Sequence, residues 1–183
     1  VSLNRSDLIF SMLKLNWKES AINLPDFVAK INEQSYFHID NDFVIRTLFV
    51  VSDLGSKFDI NILRKQKNVE AIKGNYGKCC KAIESTIDFV QKECFIGNSK
   101  MLGGLLNLIP IIYYVYHMKG FQVPNSEIEK VRKSIMLFAY TRCFSRYADS
   151  RIGRIVKIEL KTAIDNGTYE YPYADSIDEI KYN

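Results

Sequence analysis

The chain has 183 residues, 47% hydrophobic and 25% charged, a composition close to that of an ordinary globular protein and a length that fits one domain. A domain of this length buries roughly 70% of the surface its unfolded form exposes, so neither a disulfide nor a metal is needed for stability. The net charge of +4 is mild, and only its clustering would point to a polyanionic partner.

In chain order, Ser6 and Asp7 are candidate caps for a first helix carrying Leu8, Ile9, Met12, Leu13 and Leu15, with Trp17 plugging the turn behind it. Leu24-Pro25-Asp26 opens a second helix whose apolar stripe is Phe27, Val28 and Ile31, ending near Gln34. Asp40-Asn41-Asp42 caps a third helix through Phe43, Ile45, Leu48, Phe49 and Val50, and Gly55 is placed to stop it in a left-handed conformation. Residues 56–67 read as a connector with a short helical turn around Ile60 to Leu63.

The longest helix is predicted over residues 68–95. Val69, Ile72, Tyr76, Cys79 or Cys80, Ile83, Ile87, Val90 and Cys94 form a seam of about four heptads, which suits a long helix packed along an apolar partner better than a free-standing coiled coil. Gly74 and Gly77 each weaken such a helix by about 1 kcal/mol relative to alanine, so a break or a close helix approach is expected there. Gly97 and Asn98 separate it from the stretch between Asn98 and Gly120, uncharged from Met101 to Met118 and apolar on every side in its second half. A helix apolar all round is wrapped by other helices or placed in lipid; the run is marginal for a roughly 20-residue span, and the amphipathic neighbours need a common partner, so a central buried helix is expected. Pro110 either kinks this helix or lies in its first turn, with the helix beginning near Leu108.

After the Gly120 stop and Pro124, Ser126-Glu127-Ile128-Glu129 reads as a capping box opening a helix to about Phe144, with Ile128, Val131, Ile135, Leu137 and Phe138 inward. A break over residues 145–150 leads to a helix from about Arg151 to Asp165, stopped by Asn166-Gly167. Asp175 or Ser176 is placed to cap a last short helix in the tyrosine-rich, acidic tail. The fold class that follows is all-α, a single domain over residues 1–183 built as a bundle of about seven helices around a central apolar helix.

The residues suggest little chemistry. Cys79, Cys80, Cys94 and Cys143 include an adjacent pair but no C-x-x-C, so neither a disulfide framework nor a zinc site is indicated and reduced, packed thiols are expected. His38 and His117 have no metal-ligand spacing around them; His117 reads as a hydrogen-bonded core histidine, and helix capping accounts for Asp40 and Asp42. No metal, cofactor or catalytic residue is therefore assigned. A basic face stands out instead. Arg154, Lys157 and Lys161 fall within about one sixth of the circumference of a regular helix, with Arg151 at the margin, and Arg142 and Arg146 extend the patch across the preceding turn. Such a stripe suits phosphate contact, although a solvated face of an amphipathic helix explains the same charges.

Several stretches resemble one family. Leu3-Asn4-Arg5-Ser6-Asp7-Leu8-Ile9-Phe10-Ser11 followed by Trp17, then Asp42-Phe43-Val44-Ile45-Arg46-Thr47-Leu48, then Asn107-Leu108-Ile109-Pro110-Ile111-Ile112-Tyr113-Tyr114 with Lys119-Gly120, and finally Phe144-Ser145-Arg146-Tyr147-Ala148-Asp149-Ser150-Arg151, are similar in order and spacing to motifs of the GmrSD-type restriction family, in its GmrS-like N-terminal domain of unknown function. In that family a ParB- or sulfiredoxin-like α/β domain with a D-G-Q-Q-R motif, tied to nucleotide hydrolysis and nuclease activity, precedes the helical part. Neither D-G-Q-Q-R nor a G-x-x-x-x-G-K-[ST] loop occurs here. The resemblance thus implies the helical C-terminal portion of a GmrS-like protein, without its catalytic half, and carries no activity onto these residues. It raises DNA as a partner, beside the missing N-terminal domain and a second copy of the chain; no membrane partner is expected. A chain starting at Val1 in the approach to a helix, with no signal-peptide pattern, is expected to be a fragment of a cytoplasmic protein. The rival from another class is a helical protein–protein interaction or dimerisation domain using the seam from Val69 to Cys94, and a third is an enzyme with an unrecognised site.

Overall fold

A computed structural model describes residues 5–57, 59–174 and 177–178. Within them the chain is all-α and no strand occurs. Seven α-helices follow one another: α1 (Arg5–Asn16), α2 (Ser20–Gln34), α3 (Asn41–Val51), α4 (Gln66–Glu93), α5 (Ile109–His117), α6 (Ile128–Thr141) and α7. The last runs without interruption through Ala148–Arg154, a π-helical turn Ile155–Leu160, and Lys161–Asp165. The connector carries the 3₁₀ turn Ile60–Arg64, and two more 3₁₀ turns, Ser99–Leu102 and Leu105–Leu108, lead into α5. The cap expected at Asp175 or Ser176 lies outside the described residues, as does the side chain of Ser6; α1 already begins at Arg5, so Asp7 sits in its first turn rather than at its cap.

The central helix is real but short. Pro110 occupies its first turn, where a missing N–H is harmless, and the two 3₁₀ turns replace the helix in the first half of the uncharged run. Gly103 and Gly104 interrupt any regular helix, both in conformations with positive φ. From Ile109 to Val115 every residue is buried, and at about 1.5–3 kcal/mol per fully buried large apolar side chain these seven residues anchor the core. α4 packs along α5 and buries the predicted seam: Val69, Ile72, Cys79, Ile83 and Val90 are inaccessible, so the face proposed for dimerisation is occupied within the chain. No helix among the described residues is long and apolar enough to cross a membrane.

Three phenols fix α5 against different neighbours. Tyr113 donates to Asp53 Oδ1 at 3.2 Å, Tyr114 to the Tyr169 carbonyl at 2.7 Å, and Tyr116 to Asn75 Oδ1 at 2.9 Å. Trp17 is buried between α1 and α2, edge-on to Tyr76 with ring centroids 5.1 Å apart, as its place in the turn suggested.

Helix ends depart from the reading of the sequence in instructive ways. α2 starts at Ser20, about one turn before Pro25, because Ser20 is buried with its hydroxyl on the Trp17 carbonyl and Leu24 is pulled into the core. Asp40 does cap α3, accepting from the Phe43 N–H at 2.8 Å. The left-handed residue that ends α3 is Asp53, not Gly55: the Asp53 and Leu54 N–H groups close back on the Val50 and Phe49 carbonyls. α4 ends at Glu93 and the chain turns at Phe95 (φ 56°), near the predicted end, and the helix runs through Gly74 and Gly77 unbroken, with open space beside both glycines instead of a neighbouring helix. The capping box of α6 does not form. Residues Asn125–Glu127 make a 3₁₀ turn, Glu129 pairs with Lys133 along the helix, and Glu127 is the buried carboxylate.

Candidate functional site

The six predicted cations come from the end of α6 (Arg142), the following turn (Arg146) and α7 (Arg151, Arg154, Lys157 and Lys161), which contains a π-helical turn. A π turn holds one residue more than an α turn, so everything beyond it is rotated by about 100° relative to a regular helix. Lys161, at the end of that turn, reaches Asp53 Oδ2 at 2.6 Å, a hydrogen bond that raises the ammonium pKa. Arg151 also turns inward, donating through Nη1 to the Cys143 carbonyl. Arg142 is the left-handed residue that ends α6, with the Cys143 N–H closing on the Phe138 carbonyl, and its side chain lines a groove on a different part of the surface. Arg146, in the turn, and Arg154 and Lys157, on α7, remain solvent-exposed. Of the six cations, Arg151 and Lys161 are therefore engaged within the chain. Lys157 lies beside Asp53, Ser56 and Gly153 at a place where α7 closely approaches the α3–α4 connector; a Cβ at Gly153 would come 2.5 Å from Ser56 Oγ.

A second arrangement brings together Asp40, Asp42, Arg46 and Asp149. The N-terminal turns of α3 and α7 open into one cleft of about 450 Å³, lined by Asp40, Asp42, Arg46 and Leu105 among others, with Tyr147 and Asp149 opposite. Arg46 lies one turn after Asp42, at the i, i+4 spacing that places both on one face, and its Nε donates to Asp42 Oδ2 at 2.7 Å. Its Nη1 donates to Asp149 Oδ1 at 3.0 Å, in the first turn of α7. Each carboxylate also sits where the helix macrodipole favours negative charge. The D-x-x-x-R spacing was visible in the sequence; its partner 103 residues away was not. Tyr147, 78% exposed, adopts a left-handed conformation (φ 53°) where the chain enters α7.

The remaining reactive groups are built into the fold. His117 donates from Nδ1 to the Tyr113 carbonyl at 2.9 Å and lies against the Tyr113 and Tyr116 rings. Burial raises the Cys79 thiol well above its ordinary pKa and pushes Cys80 and Cys94 up to about 12, so none is a ready thiolate at neutral pH. Among the described residues no three His, Cys, Asp or Glu side chains come together as a metal-binding group. No protein-family model matches the chain, and no curated protein is significantly similar to it.

Proposed function

We propose that the chain is a non-catalytic helical module of a GmrS-like DNA restriction protein, supporting the nuclease domain of that protein and touching duplex DNA through Arg146, Arg154 and Lys157. One observation carries the reading. The stretches around Arg46 and Asp149, which resemble separate motifs of that family, meet in a single ion-paired joint, and Leu105 and Leu106, just ahead of the third stretch, line the same cleft. Residues that read as unrelated motifs along the chain are thus parts of one packing unit. The non-catalytic role is supported by the engagement of its carboxylates in a cap and in ion pairs, and by thiols whose burial keeps them protonated. A cytoplasmic location goes with this reading.

Binding of a 20-base-pair duplex, followed by fluorescence anisotropy between 50 and 200 mM salt, tests it. The expected result is weak, salt-sensitive binding, with the slope of log K against log[salt] reduced by about two in Arg154→Ala plus Lys157→Ala, because each phosphate contact contributes about 0.9. Undiminished binding by that double variant, or no binding at 50 mM salt, removes the DNA contact; hydrolysis of nucleotide or DNA by this chain removes the non-catalytic role.

A further inference from the structure

A groove of about 450 Å³ runs between the C-terminal half of α6, the end of α4 and the 3₁₀ turn Ser99–Leu102. Phe95, Met101, Met136 and Tyr140 line it, and they are 79%, 55%, 52% and 92% exposed. On α6, Met136 and Tyr140 are spaced i, i+4 on the side away from the buried Val131, Ile135 and Phe138, so this helix is apolar on a face that the core does not use. Four large apolar side chains left in water around one groove are unusual for a self-contained fold, whose exposed apolar residues are otherwise scattered singly.

Phe95 adds an independent sign. It follows the end of α4 in the left-handed conformation (φ 56°), a position that favours glycine, yet it carries a bulky aromatic ring that makes no use of the core. Folding alone gives no reason to keep phenylalanine there.

The composition of the lining distinguishes the kind of partner. Phe, Tyr, Met and Arg are the residues enriched at the cores of protein–protein interfaces, and methionine in particular adapts to an apolar surface from another chain. The charged residues that line the groove are Lys100 and Arg142, both exposed, and no carboxylate is among them. The Cys94 thiol in the lining also feels the opposed charges of Arg132 and Glu93, neither of which lines the groove. The groove is therefore apolar in the middle and positive at its edge. We infer that it is the docking site for an amphipathic helix of another protein that carries glutamate or aspartate beside its apolar stripe, laid between Phe95 and Tyr140 with its acids toward Lys100 and Arg142. This is the helix-in-groove mode of recognition. It is independent of the duplex contact proposed above, which uses none of the groove residues.

Three fluorescein-labelled 18-residue helical peptides, sharing one Leu/Ile/Phe stripe at i, i+3, i+4 and i+7 and flanked by Glu, Ser or Lys, test the assignment by anisotropy against the full chain. The Glu-flanked peptide is expected to bind at least tenfold more tightly than the Lys-flanked one, and to lose that advantage in Lys100→Glu plus Arg142→Glu. Met136→Ser plus Tyr140→Ser, both exposed positions, is expected to weaken the Glu-flanked peptide at least tenfold with unchanged circular dichroism. Phe95→Gly separates docking from folding: relief of the left-handed conformation is expected to raise Tm by roughly 2–4 °C while affinity falls at least fivefold. Equal binding of the three peptides, or none at 1 mM, overturns the proposal. So does tight binding of oligo(dT) abolished by the same Met136/Tyr140 variant, which would make the groove a base-stacking surface, or a dimer by sedimentation that this variant dissociates, which would make it a self-association face.

Discussion

Replacing Glu127 by alanine should loosen the C-terminal segment from the bundle. Glu127 is 5% exposed, and its carboxylate accepts from the Tyr171 N–H at 2.9 Å and from Lys130 Nζ at 3.1 Å. The Tyr171 ring is buried and meets Tyr114 edge-on with centroids 5.2 Å apart, so one carboxylate ties the segment after α7 to the start of α6 and to the central helix. A hydrogen bond to a charged group contributes about 1.5–3 kcal/mol, whereas the Lys130 pair, with its ammonium 40% exposed, adds under about 1 kcal/mol. Part of this is offset because the variant no longer has to desolvate a carboxylate, which leaves a net loss of about 2 kcal/mol. For a domain of this size that lowers Tm by about 4–8 °C. Glu127→Gln keeps an acceptor for the Tyr171 N–H and should lose about half as much. Burial by itself raises the Glu127 pKa, but the Tyr171 N–H and Lys130 outweigh it and hold the group below the ordinary glutamate range. A lowered folded-state value means that the stabilisation is complete above the unfolded pKa of about 4.3 and fades as pH falls through the folded value. The difference between wild type and Glu127→Gln, measured by urea denaturation at 222 nm, should thus be full at pH 7 and smaller near pH 3.5. A Glu127→Ala protein within 0.5 kcal/mol of wild type at pH 7, with the Tyr171 amide still protected from hydrogen exchange, would refute the role given to this carboxylate.

Gly103→Ala should destabilise by about 1–2 kcal/mol, because φ is +69° and the added Cβ would meet the Ala139 carbonyl oxygen at 3.0 Å; Gly74→Ala and Gly77→Ala, in open space on α4, should each stabilise by about 0.5–1 kcal/mol, all read from urea midpoints. Arg46→Met leaves Asp42 and Asp149 without their shared cation, and since the three side chains are 23–36% exposed the loss is expected at about 1 kcal/mol, recovered in part by adding Asp149→Asn. Cys79 and Cys143 should stay unreactive toward a disulfide reagent at pH 8 until urea unfolds the chain, since both are buried; rapid labelling of either in the native protein would contradict the packing.

The elements that could be read from the sequence are those whose hydrophobic period is long and regular. The seam of α4 and the run of seven buried residues in α5 are visible because steps of three and four, or an unbroken apolar stretch, leave no other way to reach a core. Helix ends were harder, since the rule that glycine marks a left-handed stop assumes that local strain decides the matter. At Asp53, Phe95 and Arg142 packing on either side fixes where the chain must turn, and a modest local penalty is overridden. The basic face assumes 100° per residue through a segment that is π-helical, and nothing in IVKIEL announces the extra residue. Of the ion-paired joint only the Asp42–Arg46 half was local. Asp149 enters it through the fold.

A cylinder that is oily on every bearing has no inherent top or bottom within an oily socket, and turning it about its own long axis would leave the amount of covered hydrocarbon nearly constant. The hydroxyls of Tyr113, Tyr114 and Tyr116 remove that freedom, because they point to the end of α3, to the segment beyond α7 and to the middle of α4. Angular setting and adhesion are in this way supplied by different atoms of the same residues. Three phenylalanines in their place would hold the pieces together without telling them how to face, so the loss should appear as broadened amide resonances across α4 and α7 before it appears as a lower melting temperature.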